Sequence, residues 1–497
     1  MTFDVHQLDV FLLVGAGVTL LAILAVRVSY RAGLPSLLLY LLMGVALGEN
    51  GVGIGFENAE VAHALGFAAL GLILAEGGLT TNWSEVKPSM RLGVSLATIG
   101  VTVSIAVVAL VAHFALGLSW QLSVLLGAVT SPTDAAAVFS VLRGLPLSPR
   151  LVGSLEAESG LNDAPTVVLV TLIATGSVAD HGVVLTGLVI VFELVIGVVT
   201  GLVVGFGGAW LMRRAALPSS GLYPLAVLCL ALLAYSAAAG EHASGFAAIY
   251  VAALVLGNSE LPHRIATRSF AEGVAWLAQI GLFVMLGLLL SPSRITWSVV
   301  GIAVIGSLVL TFLARPVSVW VSSVVDPLPG NELAFVSWAG LRGAVPIVLA
   351  TIPFAEEVTD AERLFDIVFV MMVISTLLTG PTLPWVARRL HVTRQLEPRS
   401  LDLEVAPLER VAADMLQVTI SPVSRLHGVE VGELRLPEGS LVSMVVRDGR
   451  AIVPERRMVL RRGDELLVVT PRGQREPTVS RLRTISEHGR LGRWLGE

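Results

Sequence analysis

Glu156-Ala157-Glu158-Ser159-Gly160-Leu161-Asn162-Asp163-Ala164-Pro165 sets three carboxylates, an amide and a hydroxyl inside a stretch that is otherwise apolar. Ser159 and Asp163 stand four residues apart and share one helix face, with Asn162 beside them. Hard oxygen donors of this kind suit an alkali cation. Burial favours the protonated form of a carboxylate and a bound cation favours the ionised form, so proton and cation compete for one group. Alternate exposure of that group to the two sides of a barrier suffices to exchange one ion for the other. Glu158 and Asn162 are also four apart, which lets the carboxylate orient the amide.

Further charges sit in apolar runs, where each costs a few kcal/mol or more and so marks a candidate functional position. Asp134 follows Pro132 in Gly127-Ala128-Val129-Thr130-Ser131-Pro132-Thr133-Asp134, and Arg342 precedes Pro346 in Gly340-Leu341-Arg342-Gly343-Ala344-Val345-Pro346. A proline in a span removes a backbone donor and frees an upstream carbonyl, so both segments are expected to be broken helices. Paired breaks at corresponding positions of two halves point to a transport site, where loosened carbonyls coordinate a cation. Arg342 keeps its charge in a low dielectric and needs an anion, for which Glu158 is the expected structural partner. Glu156, near its helix start, and Glu76, in Leu74-Ala75-Glu76-Gly77-Gly78-Leu79, each read two ways: a cytoplasmic funnel acid, or an acid that snorkels to the interface. Glu193 is an isolated acid in another apolar run and has no assigned role.

The elements that must position these residues follow from composition. Of 497 residues 54% are hydrophobic and 14% charged, which is too apolar for a soluble chain of this size. Apolar runs at 10–28, 34–47, 61–79, 92–116, 120–142, 151–174, 183–212, 222–239, 243–256, 270–290, 297–321, 333–352 and 364–387 predict about thirteen membrane helices, the seventh separating two halves of six. The run at 10–28 lacks a basic flank and is followed by more spans, so it reads as a first helix rather than a cleaved signal. Arg31, Lys87, Arg91, Arg143, Arg150, Arg213, Arg214, Arg264, Arg268, Arg388 and Arg389 fall on one side of this topology. Glu49, Glu57, Glu60, Asp180, Glu356, Glu357, Asp360 and Glu362 fall on the other, where Arg294 and Arg363 are the basic exceptions. Basic loops face the cytoplasm, so the N-terminus is expected outside and the C-terminus inside a bacterial inner membrane.

From about residue 390 the composition turns polar, which divides the chain into a transmembrane part (1–390), a linker (391–410) and a cytoplasmic domain (411–497). Cys229, the one cysteine, rules out an intrachain disulfide and a thiolate cluster. The net charge of −5 contains no like-charge block, so no nucleic-acid partner is expected.

The Ser131-Pro132-Thr133-Asp134, Glu158–Asp163 and Gly340–Pro346 motifs together resemble the sodium/proton exchanger family of the monovalent cation/proton antiporter superfamily, over roughly the first 390 residues. The resemblance implies a fold of inverted repeats with broken crossing helices. It also implies a homodimer in which a six-helix core moves against a dimerisation domain. Carried over, Asp163 is the shared cation and proton site, Thr133 and Ser159 are further ligands, Asn162 is the partner of Asp163, and Asp134 is a crossing-region charge. Arg342 pairs with Glu158. The Asn-Asp pair resembles the electroneutral branch, which exchanges one proton per cation.

The C-terminal segment resembles the TrkA-C type from about residue 411 to 485, giving a small α/β domain. Residues 415–420 alternate like a strand, 429–434 offer a short helix, 440–447 and 451–454 flank Asp448-Gly449-Arg450 as a hairpin, and Gly463-Asp464 precedes a strand at 465–470. Domains of this type accompany potassium transport more often than sodium transport, so K+ is the favoured cargo and Na+ the second. They bind a small molecule or nucleotide, or another copy of themselves; no Gly-rich nucleotide-binding half precedes this one. A potassium channel gated by such a domain is the competing function class, and a Thr-Val-Gly-Tyr-Gly filter is absent. A non-transporting sensor has no reason to keep Asp163 and Arg342 buried. With no metal-ligand cluster, nucleophile elbow or phosphate loop, an enzyme is not expected, and no resident cofactor is required.

Overall fold

A computed structural model describes residues 5–489 apart from 33–35, 50, 55, 57, 143–144, 146, 344, 394–400, 409–412, 422–423 and 448. Arg143, Glu57, Ala344 and Asp448, and the side chains of Arg31 and Asp180, therefore lie outside the described residues. The chain forms two compact units, 1–393 and 394–497.

The first unit is helical. Its first half comprises α1 (Val5–Ala32), α2 (Ser36–Leu47), α3 (Ala59–Thr80), α4 (Trp83–Val86), α5 (Met90–Ser95), α6 (Val101–Phe114), α7 (Trp120–Thr130), α8 (Ala135–Val141) and α9 (Pro149–Ala174). Then come α10 (Ser177–Arg214), bent where Gly182 takes a positive φ, α11 (Leu222–Gly240), α12 (Gly245–Asn258), α13 (Arg264–Leu289), α14 (Trp297–Val309), α15 (Arg315–Ser322), α16 (Gly330–Trp338), α17 (Val345–Ala355), α18 (Ala361–Thr379) and α19 (Leu383–Arg389). Each expected apolar run falls on one of these helices or on a consecutive pair. Starts are set by side-chain oxygens that accept the first free N–H groups: Asn58 for α3, Ser119 for α7, Asp134 for α8, Ser148 for α9 and Ser244 for α12.

Among the described residues six helices are long and apolar enough to cross a membrane, and two bent pairs, α7 with α8 at 50° and α18 with α19 at 42°, extend that number to eight. Helix α9 spans 26 residues but carries Arg150, Glu156, Glu158 and Asp163, so composition alone does not mark it as a crossing. One-turn π-helices at Leu96–Gly100 and Leu310–Ala314 join α5 to α6 and α14 to α15. The second runs into Arg315-Pro316, where the proline lacks the N–H that would continue the regular ladder.

The second unit is a five-stranded antiparallel sheet ordered β1-β2-β5-β3-β4, from β1 (Leu401–Leu408), β2 (Ala413–Ile420), β3 (Leu441–Arg447), β4 (Arg450–Ile452) and β5 (Glu465–Pro471), with α20 (Arg475–His488). Its core is the inward set of alternating strand residues, Leu416, Val418, Ile420, Val445, Leu466 and Val468, joined by Leu482 and Ile485 of α20. The expected hairpin and strands appear here. The stretch read as a linker at 391–410 instead contains β1, which pairs along its whole length with β2. Leu401-Asp402-Leu403-Glu404-Val405 carries the alternation of an edge strand, so pairing to β2 overrides the polar composition that suggested a linker.

Candidate functional site

The two interrupted helices meet at their breaks. After Thr130 the chain leaves the helix at Ser131-Pro132-Thr133, and the Asp134 N–H donates to the Leu341 carbonyl at 2.8 Å, which ties the first break to the second. Asp134 also accepts the Ala137 N–H at 3.2 Å and so starts α8. Gly343 lies against this carboxylate so closely that a methyl there would overlap it, which explains a glycine beside the crossing. Arg342, 4% exposed, donates from Nε to the Thr130 carbonyl and from Nη1 to the Gly340 carbonyl, both at 2.7 Å. It thus supplies positive charge to carbonyl groups left open where α7 ends and just past the end of α16.

On α9, facing this crossing, Asn162 is wholly buried and donates from Nδ2 to Thr133 Oγ1 at 3.2 Å and to the Thr133 carbonyl at 3.4 Å. Ser159 Oγ accepts the Ala135 N–H at 3.2 Å. Asp163 is 5% exposed, and among the described residues neither its Oδ1 nor Oδ1 of Asn162 has a hydrogen-bond partner. Buried acceptors of this kind are rare because each forfeits its hydration. Asp163, Ser159, Thr133, Asp134, Glu76 and Glu156 all line one cavity of about 310 Å³. The cavity wall therefore holds every residue read as a cation or proton ligand except Asn162, which is bonded to Thr133 of that wall. Among the described residues no three His, Cys, Asp or Glu are grouped to hold a metal ion, so the donor set around Asp163 mixes carboxylate with hydroxyl oxygens. Glu76 is shared with a second cavity of about 200 Å³ that also meets Glu272 and Gln279. Glu193 lies on α10 and does not line the site cavity.

The expected pairing of Glu158 with Arg342 is corrected. Glu158, 0% exposed, is held by Arg315 of α15, with Arg315 Nη2 2.8 Å from Glu158 Oε2 and Nη1 bonded to Oε1. Arg342 has its carbonyl partners instead, and its Nη2 is left without one among the described residues. The sequence did carry a signal for Arg315: it is a charge beside a proline inside the apolar run at 297–321. Two further residues went unread. Asp366 on α18 is 2% exposed and accepts from Arg294 Nε and Nη2, each at 3.3 Å. Tyr250 on α12 packs its phenol on Gly160, where a methyl would collide with the ring.

In the second unit Arg447 donates twice to Asp464, from Nε at 2.8 Å and from Nη2 at 2.7 Å. Burial raises the Asp464 pKa, but these bonds, the Arg461 N–H and the charges of Arg447 and Arg461 outweigh it and hold the carboxyl below its ordinary value.

Comparison with known proteins shows the family of the chain. Residues 17–389 match the family model described as sodium/hydrogen exchanger, transmembrane, and residues 415–476 match the TrkA-C domain. The chain is 34% identical to the K(+)/H(+) antiporter NhaP of Alkalimonas amylolytica over 462 residues, covering 90% of this chain and 79% of that protein. It is 32% identical to the K(+)/H(+) antiporter NhaP2 of Shewanella baltica over 504 residues, covering 99% and 86%. The structure of the sodium proton antiporter MjNhaP1 from Methanocaldococcus jannaschii shares the fold, with a TM-score of 0.65 at 22% identity over 77% of this chain and 99% of that one. The chain is thus a multi-pass membrane protein that belongs to the sodium/hydrogen exchanger family and carries a C-terminal TrkA-C domain.

Proposed function

We propose that the protein exchanges a monovalent cation, K+ in preference to Na+, for H+ across a bacterial inner membrane. The observation that carries this reading is the buried Asp163 carboxylate, with a free Oδ1, on the wall of a cavity between two crossed helix breaks. In one half of the cycle Asp163 is ionised and binds the cation with Ser159, Thr133 and water; in the other it is protonated and the cation has left. The Asn162–Asp163 pair resembles that of the electroneutral branch, and on that resemblance one proton replaces one cation and no net charge moves. Arg342 and the Glu158–Arg315 pair are positioning groups: they hold the two breaks and α9 in register without touching the ion. Glu76 and Glu156, both on the cavity wall, gather cations on the cytoplasmic side.

The K+ preference rests on the relatives at 34% and 32% identity, both named as potassium/proton antiporters, and on the TrkA-C domain. About thirteen crossings in two inverted repeats, an external N-terminus, a cytoplasmic C-terminal domain and a homodimer complete the proposal. The C-terminal domain, from residue 411, would respond to a small molecule or nucleotide. Acid-loaded proteoliposomes test the exchange directly. Adding K+ or Na+ outside should alkalinise the lumen, with K+ the more effective, and Asp163→Asn should abolish the response. Antiport is refuted if neither cation moves protons in vesicles that contain correctly folded protein.

A further inference from the structure

Helix α17 separates two cavities. The site cavity meets it at Val345, its first residue, and a larger cavity of about 970 Å³ meets it at Phe354 and Ala355, its last turn. Helix α3 frames both as well, through Glu76 in the first and Glu60 in the second. Between them the chain is packed shut: Val348, Thr351 and Ile352 of α17 are at most 2% exposed, as is Leu282 of α13. Gly66 of α3 sits so near Val348 that an added methyl would lie 3.2 Å from its Cγ1.

Among the described residues one side-chain hydrogen bond crosses this seam. His63 Nδ1 of α3 lies 3.3 Å from Thr351 Oγ1 of α17. Thr351 donates its hydroxyl proton to the Val348 carbonyl at 2.6 Å, so its oxygen is left as an acceptor and the proton of the His63 contact is on Nδ1. The His63 ring packs on Phe67 with centroids 4.2 Å apart, and Phe67 meets Phe246 of α12 at 5.1 Å. A hydrogen bond backed by two aromatic rings thus lies at the place where the two cavities would otherwise join. Helix α17 follows the break that holds Arg342 and Gly343, so it is tied to the crossing that carries the site. Any opening of the site toward the larger cavity requires α3 and α17 to part here.

We propose that the α3–α17 seam, latched by His63 and Thr351, is the outer closure of the transport path, and that the 970 Å³ cavity is its outer mouth. This rests on the antiport reading and goes beyond it by naming the contact that must break in every cycle. In a Cys229→Ser background, His63→Cys and Thr351→Cys are combined and bridged with a short bis-methanethiosulfonate that dithiothreitol cleaves. Exchange in proteoliposomes should fall to the protein-free level on bridging and return on cleavage, while each single cysteine is insensitive to the same reagent. Exchange at the unbridged rate in the bridged pair overturns the proposal. Labelling decides the question independently of transport. A cysteine at Val348 should be protected from a membrane-impermeant thiol reagent on the outer side, and His63→Ala should expose it several-fold; equal labelling with and without His63 also overturns the latch. If the parent shows no exchange at all, antiport itself fails, and the labelling result still stands or falls alone.

Discussion

Replacing Arg315 by Met leaves Glu158 wholly buried and without its bidentate partner, whereas replacing Arg342 by Met leaves that partner in place. Breaking one side of a buried ion pair destabilises by about 3–5 kcal/mol, because the surviving charge cannot recover its hydration. Two charge-assisted hydrogen bonds of about 1.5–3 kcal/mol each give about 3–6 kcal/mol, which overlaps that range. Arg315→Met and Glu158→Gln should therefore each lower stability by about 3–5 kcal/mol. Their combination should fall short of the sum by about 2–3 kcal/mol, since no unpaired charge then remains. Glu158→Gln with Arg342→Met should couple by less than about 1 kcal/mol, as Arg342 senses Glu158 only through space. Mixed-micelle unfolding of the four variants in each double-mutant cycle supplies these numbers. Strong coupling of Glu158 to Arg342 with none to Arg315 would refute the assignment and restore the pairing expected from sequence.

Gly343→Ala pushes a methyl into the Asp134 carboxylate, and overpacking of this kind costs about 1–3 kcal/mol, so both thermal stability and exchange rate should drop. Gly301→Ala, where nothing among the described residues lies within 4 Å, is the matched control and should leave intrinsic-fluorescence melting unchanged. In the C-terminal domain the depressed Asp464 pKa means that its pairing with Arg447 contributes full stability above the unfolded carboxylate value of about 3.9, and that this contribution fades as pH falls through the lower folded value. The melting gap between the wild type and Asp464→Asn should accordingly be constant from about pH 5 to 8 and close below about pH 4. Deleting the residues after Arg389 should leave exchange in place but alter its dependence on pH or ligand; complete loss in a correctly inserted truncation would contradict a regulatory role.

Much of this was legible in the chain, for physical reasons that differ by residue. Lipid makes every buried charge expensive, so Asp134, Asp163 and Arg342 stood out against apolar neighbours, and Pro132 announced a break because it removes a donor that lipid cannot replace. Partner choice was not legible. Glu158 is bonded by an arginine 157 positions away, and nothing in spacing distinguishes Arg315 from Arg342 as its counter-ion. Arg342 turned to the carbonyls of Thr130 and Gly340, a role set by where two helix ends meet. In the C-terminal unit β1 was hidden by its acids, Asp402 and Glu404, and α20 by a polar sequence in which Val479, Leu482 and Ile485 are the residues packed on the sheet. The His63–Thr351 contact joins helices far apart in sequence and needed the fold to be seen.

The most direct test of the central claim is the apparent KM for K+ as a function of pH in proteoliposomes under symmetric buffers. If one carboxylate binds either ion, protons act as competitive inhibitors: KM should rise by about tenfold per unit as pH falls through the acidic range, while the maximal rate at saturating K+ is unchanged. A KM independent of pH, with the maximal rate alone titrating, would show that cation and proton use different groups and would contradict a shared site at Asp163.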